Sequence, residues 1–186
     1  MKLIDTINRS GICYSYGTGG QADILAAIRP VAFGLATFDF LYERGKLRAT
    51  NISIIGGETP GRQTVPRAEL FGAIILMTRV HDKFCARLGI DAAYVAEGAN
   101  NRARLERGAN DDLWGLLFQI LDLRRNDLQI QKVASHIDSV GVQAVVGGYA
   151  ELVDIIGNAS ADEVVELAAA LIRPEQKEIT KAKQTD

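Results

Sequence analysis

The chain has 186 residues, 47% of them hydrophobic, and a formal net charge of −2. That length and apolar content suit one domain with a sizeable buried core, and no apolar run reaches the roughly 18 residues that a membrane span needs. The acidic balance, with a pI near 5.7, gives no long-range attraction for a polyanion, so binding of RNA or DNA would depend on a local patch.

Residues 10–18 alternate, with Ile12, Tyr14 and Tyr16 on one face and Cys13 and Ser15 on the other, which predicts a first strand ended by a turn over 17–20. After an insertion from Gln21, residues 30–40 are rich in β-branched and aromatic side chains and predict a second strand. A polar turn over 43–46 leads to a third strand over 48–56, so the first three strands read as an antiparallel meander. From Pro66 the period changes to that of a helix, with Leu70, Ala73, Ile74 and Met77 on one face, and this helix is expected to reach about Val80. Residues 83–90 alternate again as a fourth strand, and Asp91 is expected to cap a short helix through Glu97. Asn110 and Asp111 open a further helix that ends near Arg125, in which Trp114, Leu117 and Phe118 have core spacing. Residues 128–134 predict a fifth strand, and Ser160-Ala161-Asp162-Glu163 has the form of a capping box opening a last helix to about Ile172. The expected fold is therefore α/β: a five-stranded mixed sheet, three antiparallel strands then two parallel, with helices on both faces. The expected organisation is one domain over 1–172 and a polar tail over 173–186.

Cys13 and Cys85 lie far apart in apolar segments, which fits free thiols in a reducing intracellular compartment better than a disulfide framework. The amino-terminal residues have neither the pattern of a secretory signal nor, given Asp5, that of an organellar leader.

Three carboxylates stand out. Glu69 follows Pro66-Arg67-Ala68, Asp91 follows Gly89-Ile90, and Asp162 follows Gly157-Asn158-Ala159-Ser160-Ala161, with His136 lying in sequence between the last two. Taken singly each is ordinary, because an acid near a helix start is favoured by the dipole with no catalytic purpose. Together, at these element ends and in this order, they resemble ribonuclease H of the cellular type. The stretches Gln63-Thr64 ahead of Arg67-Ala68-Glu69, Asp91 with Tyr94-Val95, and Asn110-Asp111-Asp112-Leu113-Trp114 carry the likeness over most of the chain.

The resemblance implies a ribonuclease H-like fold with Glu69, Asp91 and Asp162 as metal ligands and catalytic acids. It also implies that His136 assists leaving-group release, and that Gln63, Thr64 and Arg67 approach the RNA strand. Where the family has Thr-Asp-Gly-Ser at the end of its first strand, with an aspartate bridging two divalent ions, this chain has Ser15-Tyr16-Gly17-Thr18. Tyr16 thus replaces the bridging acid, and a phenol with an ordinary pKa near 10 is a neutral, weak ligand for Mg²⁺ or Mn²⁺. Asp23 could substitute from the following loop, though it reads first as a solvated residue. The expectation is a degenerate member, inactive or weakened, serving as a structural or nucleic-acid-binding subunit of a larger ribonucleoprotein or protein assembly. The alternative is an active ribonuclease that cuts the RNA strand of RNA–DNA hybrids with two metal ions. Arg102, Arg104, Arg107, Arg124 and Arg125 occupy the region where some relatives carry a basic projection, but interleaving acids point to solvated helix faces. His81 has no place in the motif.

Overall fold

The computed structural model describes residues 11–19, 30–79, 86–99, 101–102, 108–124, 128–133, 142–147 and 151–174. The elements in chain order are β1 (Gly11–Thr18), β2 (Ala32–Glu43), β3 (Lys46–Glu58), α1 (Val65–Arg79), β4 (Ala86–Ile90), α2 (Ala93–Gly98), α3 (Asp111–Leu123), β5 (Leu128–Lys132), α4 (Val142–Val146) and α5 (Leu152–Leu171). The five strands form one sheet in the order β3-β2-β1-β4-β5. β1 pairs antiparallel with β2, and β2 with β3, whereas β4 runs parallel to β1 and β5 parallel to β4. This is the mixed sheet that the sequence predicts.

The β2–β3 turn is made by Arg44 and Gly45, both left-handed at φ 51° and 73°, the backbone a two-residue hairpin needs to match strand twist. Alternation along β1 sends its side chains to two different layers. Cys13 joins a core with Leu35, Leu70, Leu76, Leu88, Trp114 and further side chains of α1, α2 and α3, while Tyr14 and Tyr16 face a second layer built by α5. Each fully buried large apolar side chain in these layers contributes roughly 1.5–3 kcal/mol relative to exposure. Trp114 stacks on Phe118 at 5.6 Å and donates through Nε1 to the Tyr94 hydroxyl at 2.5 Å.

α5 lies close enough to the sheet to touch backbone. A Cβ at residue 34 would come 2.6 Å from Val165 N and 2.7 Å from Ala161 O, and one at residue 157 would come 1.9 Å from the Tyr14 ring, so both positions require glycine. Beneath this contact the Tyr14 hydroxyl donates to Asp154 Oδ1 at 2.8 Å, and Arg87 of β4 closes the same carboxylate with its guanidinium. One buried acid therefore ties β1, β4 and α5 together.

Several boundaries differ from expectation. α5 begins at Leu152, so Asp162 lies within the helix and Ser160 is no cap: its hydroxyl donates back to Ile156 O at 2.8 Å, one turn earlier. α2 has Ala92 at its N-cap with no side-chain cap, so Asp91 precedes the helix without capping it. α4 was not foreseen. The strands β2 and β3 run longer than predicted, to Glu43 and Glu58. Asp23, His81, Cys85, Arg104, Arg107, Arg125 and His136 lie outside the described residues, and Cys13 is a buried free thiol. Among the described residues no helix is long and apolar enough to cross a membrane.

Candidate functional site

Ser15 pairs with Ile90 across the parallel β1–β4 contact, so Tyr16 and Asp91 follow side by side at the carboxyl ends of adjacent strands. Here the chain order of the sheet reverses, and in open α/β sheets that switch point is where ligands bind. The local sequence draws α1 in from the other side. Gly17 passes the first turns of α1 so closely that a Cβ on it would lie 3.0 Å from both Ala68 Cβ and Glu69 N, and its own N–H donates to Glu69 Oε1 at 2.8 Å.

That bond fixes the Glu69 side chain, which is only 4% exposed. Its second oxygen, Oε2, is buried with no hydrogen-bond partner. Burial pushes the Glu69 carboxyl well above the ordinary carboxylate range, the nearby charge of Asp91 pushes it further, and the Gly17 N–H offsets part of the rise. Tyr16, Gly17, Pro66, Glu69, Asp91 and Tyr94 line a cleft of about 300 Å³.

Of the acids expected to converge, Glu69 and Asp91 share this cleft and Asp162 does not line it. Among the described residues no three acids, histidines or cysteines are grouped so as to hold an ion. Asp162 nonetheless belongs to the turn of α5 that covers the β1–β2 pair at Tyr16 and Gly34, because Ala161 and Val165 are the residues packed on Gly34. The Tyr16 ring is half-buried against both apolar clusters that α5 makes with the sheet. A pair of divalent ions about 3.5–4 Å apart needs a carboxylate common to both. The donors here do not fit that pair, since β1 supplies a neutral phenol.

The residues expected to approach an RNA strand are engaged within the fold. Gln63 accepts from Val31 N at 2.6 Å and donates to Thr59 O and Gly61 O, bracing the loop before α1. Thr64 is exposed, and its carbonyl accepts from Arg67 N and Ala68 N as α1 starts. Arg67 is buried, donates to Pro60 O, and forms a two-pronged pair with Asp112 at 2.9 and 2.6 Å. Arg67 also lines a second, polar cleft of about 440 Å³ with Gly61, Arg62, Asn110 and Asp112. Arg102 is paired with Asp122 of α3 and lies 5.0 Å over the Phe118 ring of the same helix, while Arg124, just past the end of α3, donates to Met77 O. These pairings follow the interleaved charges of the sequence.

Asp154 is the polar residue that sequence reading passed over. Its signal is positional: Asp154, Gly157, Asn158, Ala161, Val165 and Ala168 recur at helical spacing and are all buried, so an acid stands on an apolar stripe.

No protein-family model matches the chain, and no curated protein sequence does. Solved structures do. The solution structure of the PFV RNase H domain is 17% identical, with a TM-score of 0.64 over 88% of this chain and 96% of that one. LC11-RNase H1, isolated from compost and crystallised with an RNA/DNA hybrid, is 16% identical, with a TM-score of 0.55 over 86% of this chain and 96% of that one. The N-terminal RNase H domain of a Mycobacterium tuberculosis protein, solved as a fusion with maltose-binding protein, is 15% identical, with a TM-score of 0.52 over 87% and 98%. At such identities the likeness is one of fold.

Proposed function

We propose that this chain, which has the ribonuclease H fold, has lost two-metal scission and now serves as a binding or architectural subunit that engages RNA–DNA hybrid or RNA within a larger assembly. One observation carries the reading: Tyr16 stands beside Asp91 at the ends of adjacent parallel strands, where the chemistry of a two-ion centre requires an ionised acid. A neutral ring there forfeits the ligand that would join the ions, and with it most of the barrier reduction they supply together. Engagement of hybrid is supported by fold analogy, since LC11-RNase H1 and a foamy viral protease-reverse transcriptase, 21% of whose chain matches this one, have been solved with RNA/DNA hybrid. The assembly role rests on the chain's acidic balance and internally paired arginines, which leave it weakly equipped to hold a polyanion alone.

Purified protein incubated with an end-labelled RNA–DNA hybrid and Mg²⁺ or Mn²⁺ is expected to leave the RNA strand intact. Tyr16→Asp is expected to gain cleavage by about 100-fold or more over the parent chain. Cleavage by the parent chain that disappears in Asp91→Asn would overturn the proposal. That outcome favours a second reading, an active hybrid ribonuclease, whose own support is the buried, unpartnered oxygen of Glu69 in a residue that shares its cleft with Asp91.

A further inference from the structure

We propose that the outer edge of β3 and the apolar groove beside it form a docking site for a protein partner, taken as an extended segment with apolar side chains on one face and basic residues at its ends. This surface is separate from the Glu69–Asp91 cleft, and whether hybrid is cut has no bearing on it. It gives the assembly role a point of contact.

β3 is the last strand on its side of the sheet, and among the described residues no strand pairs with its outer edge. Such an edge carries a row of backbone N–H and C=O groups that an added strand can take up. The register shift opposite Thr37 and Asp39 puts one extra residue in β3 between Thr50 and Ser53. A bulge bends the strand there, so the half that adjoins the groove, residues 53–58, is left as a short edge of its own. That half contains Gly56-Gly57, and glycine in a strand lets a second backbone come close.

Ile54, Gly56 and Glu58 alternate onto the α5 side of this edge, where a Cβ at residue 56 would lie 3.1 Å from Ala168 Cβ and 3.2 Å from Val164 Cγ1. Beside that contact Ile54, Val164, Leu167, Ala168 and Leu171 line an apolar groove of about 290 Å³. Ile54, Leu167 and Leu171 are 45, 57 and 86% exposed. Grouped exposed apolar side chains of this kind mark contact surfaces, whereas single ones do not.

Size and charge together define the occupant. The groove has room for a few side chains, whereas a stable contact between two folded faces buries roughly 1,200–2,000 Å², so it suits a segment and not a globular face. Its rim is acidic: Glu58 follows Gly56 on the same side of β3, and Glu163 stands one turn before Leu167 on the same side of α5, both exposed. Lysine or arginine at the ends of the segment complements that rim. A second copy of this chain would bring the same acids to it, which like charge opposes.

The probe is a fluorescein-labelled peptide, acetyl-Lys-Thr-Val-Thr-Val-Thr-Lys-amide, whose alternation puts the valines and both lysines on one face. Its binding to the full chain, followed by fluorescence anisotropy, is expected to be saturable and one-to-one, with a Kd of tens to hundreds of micromolar. Leu167→Lys and Ile54→Lys should each weaken it at least about tenfold. A peptide with glutamate for lysine should bind several-fold more weakly at low salt, and N-methylation of one or other alternate set of peptide nitrogens should abolish binding. Leu123→Lys, at an exposed leucine of α3, should leave it unchanged. Far-ultraviolet circular dichroism shows whether each variant is folded, and two separate groove variants keep the test intact if one is not. Failure of a folded parent chain to bind, as a terminal segment of its own in the groove would cause, overturns the assignment. So do equal loss in Leu123→Lys, binding that survives both methylated peptides, and a parent chain that sediments as a dimer but becomes a monomer in Leu167→Lys, which would give the groove to a second copy.

Discussion

Asp154 is a carboxylate with almost no access to water that accepts from a phenol and from a guanidinium at once. Burial, and then Asp154 itself, push the Tyr14 phenol far above its ordinary value, so Tyr14 stays a donor throughout the pH range in which the fold persists. Tyr14→Phe removes one bond while Arg87 keeps the acid paired, and it should cost about 1–2 kcal/mol in urea unfolding. Gly157→Ala should cost more, about 3 kcal/mol, because its new methyl would collide with the Tyr14 ring from a helix backbone that cannot retreat. The reverse ranking would mean that the hydrogen bond, and not the fit of ring to helix, governs this contact. The inward face of Tyr14 and Tyr16 was legible in the alternation of β1. The partner acid was not, because no local pattern says which residue 140 positions away will meet a buried phenol.

The pair Arg67–Asp112 does between helices what Asp154 does between α5 and two strands, joining the first turn of α1 to the first turn of α3. Arg67 is 10% exposed at its side chain and Asp112 57%, so solvent screens the pair from one side and its worth is held to roughly 1 kcal/mol. The guanidinium beside it holds the Asp112 carboxyl below the usual carboxylate range. A lowered folded-state pKa makes the contribution full above the unfolded-state value, near 3.9, and removes it as pH falls through the lowered one. Asp112→Asn should therefore be less stable than the parent chain at neutral pH, with the gap closing near pH 2, as read by urea midpoints at the two pH values. An unchanged gap would assign the loss to something other than charge. Strands and helices with clean periodicity were readable in kind, and helix starts were the weak point. Ser-x-x-Glu inside α5 looks like a capping box because the same four residues satisfy either role. What settles it is Ile156 O, whose availability to Ser160 depends on a helix already running.

At the scale of the molecule, the order β3-β2-β1-β4-β5 brings an antiparallel half and a parallel half together at β1, and the Glu69–Asp91 cleft falls on that seam. The mixed directions were legible from the sequence of elements, since a hairpin turn implies antiparallel neighbours and an intervening helix implies parallel ones, whereas the place of β4 beside β1 was not. The geometry of the acids was legible only in part. Glu69 and Asp91 are each fixed by an element end that the sequence announces, whereas Asp162, expected at a helix start, lies inside α5 and does not line their cleft. The two-residue connection at Arg44 and Gly45 has a bearing on how the chain assembles as well as on its final shape. Zipping β2 to β3 closes almost no loop, while aligning β1 with β4 must gather most of the intervening chain first. Refolding followed by pulsed deuterium labelling should accordingly find the amides of this hairpin shielded early and those of β4 and β5 late, so that the seam is the last part of the sheet to be sewn.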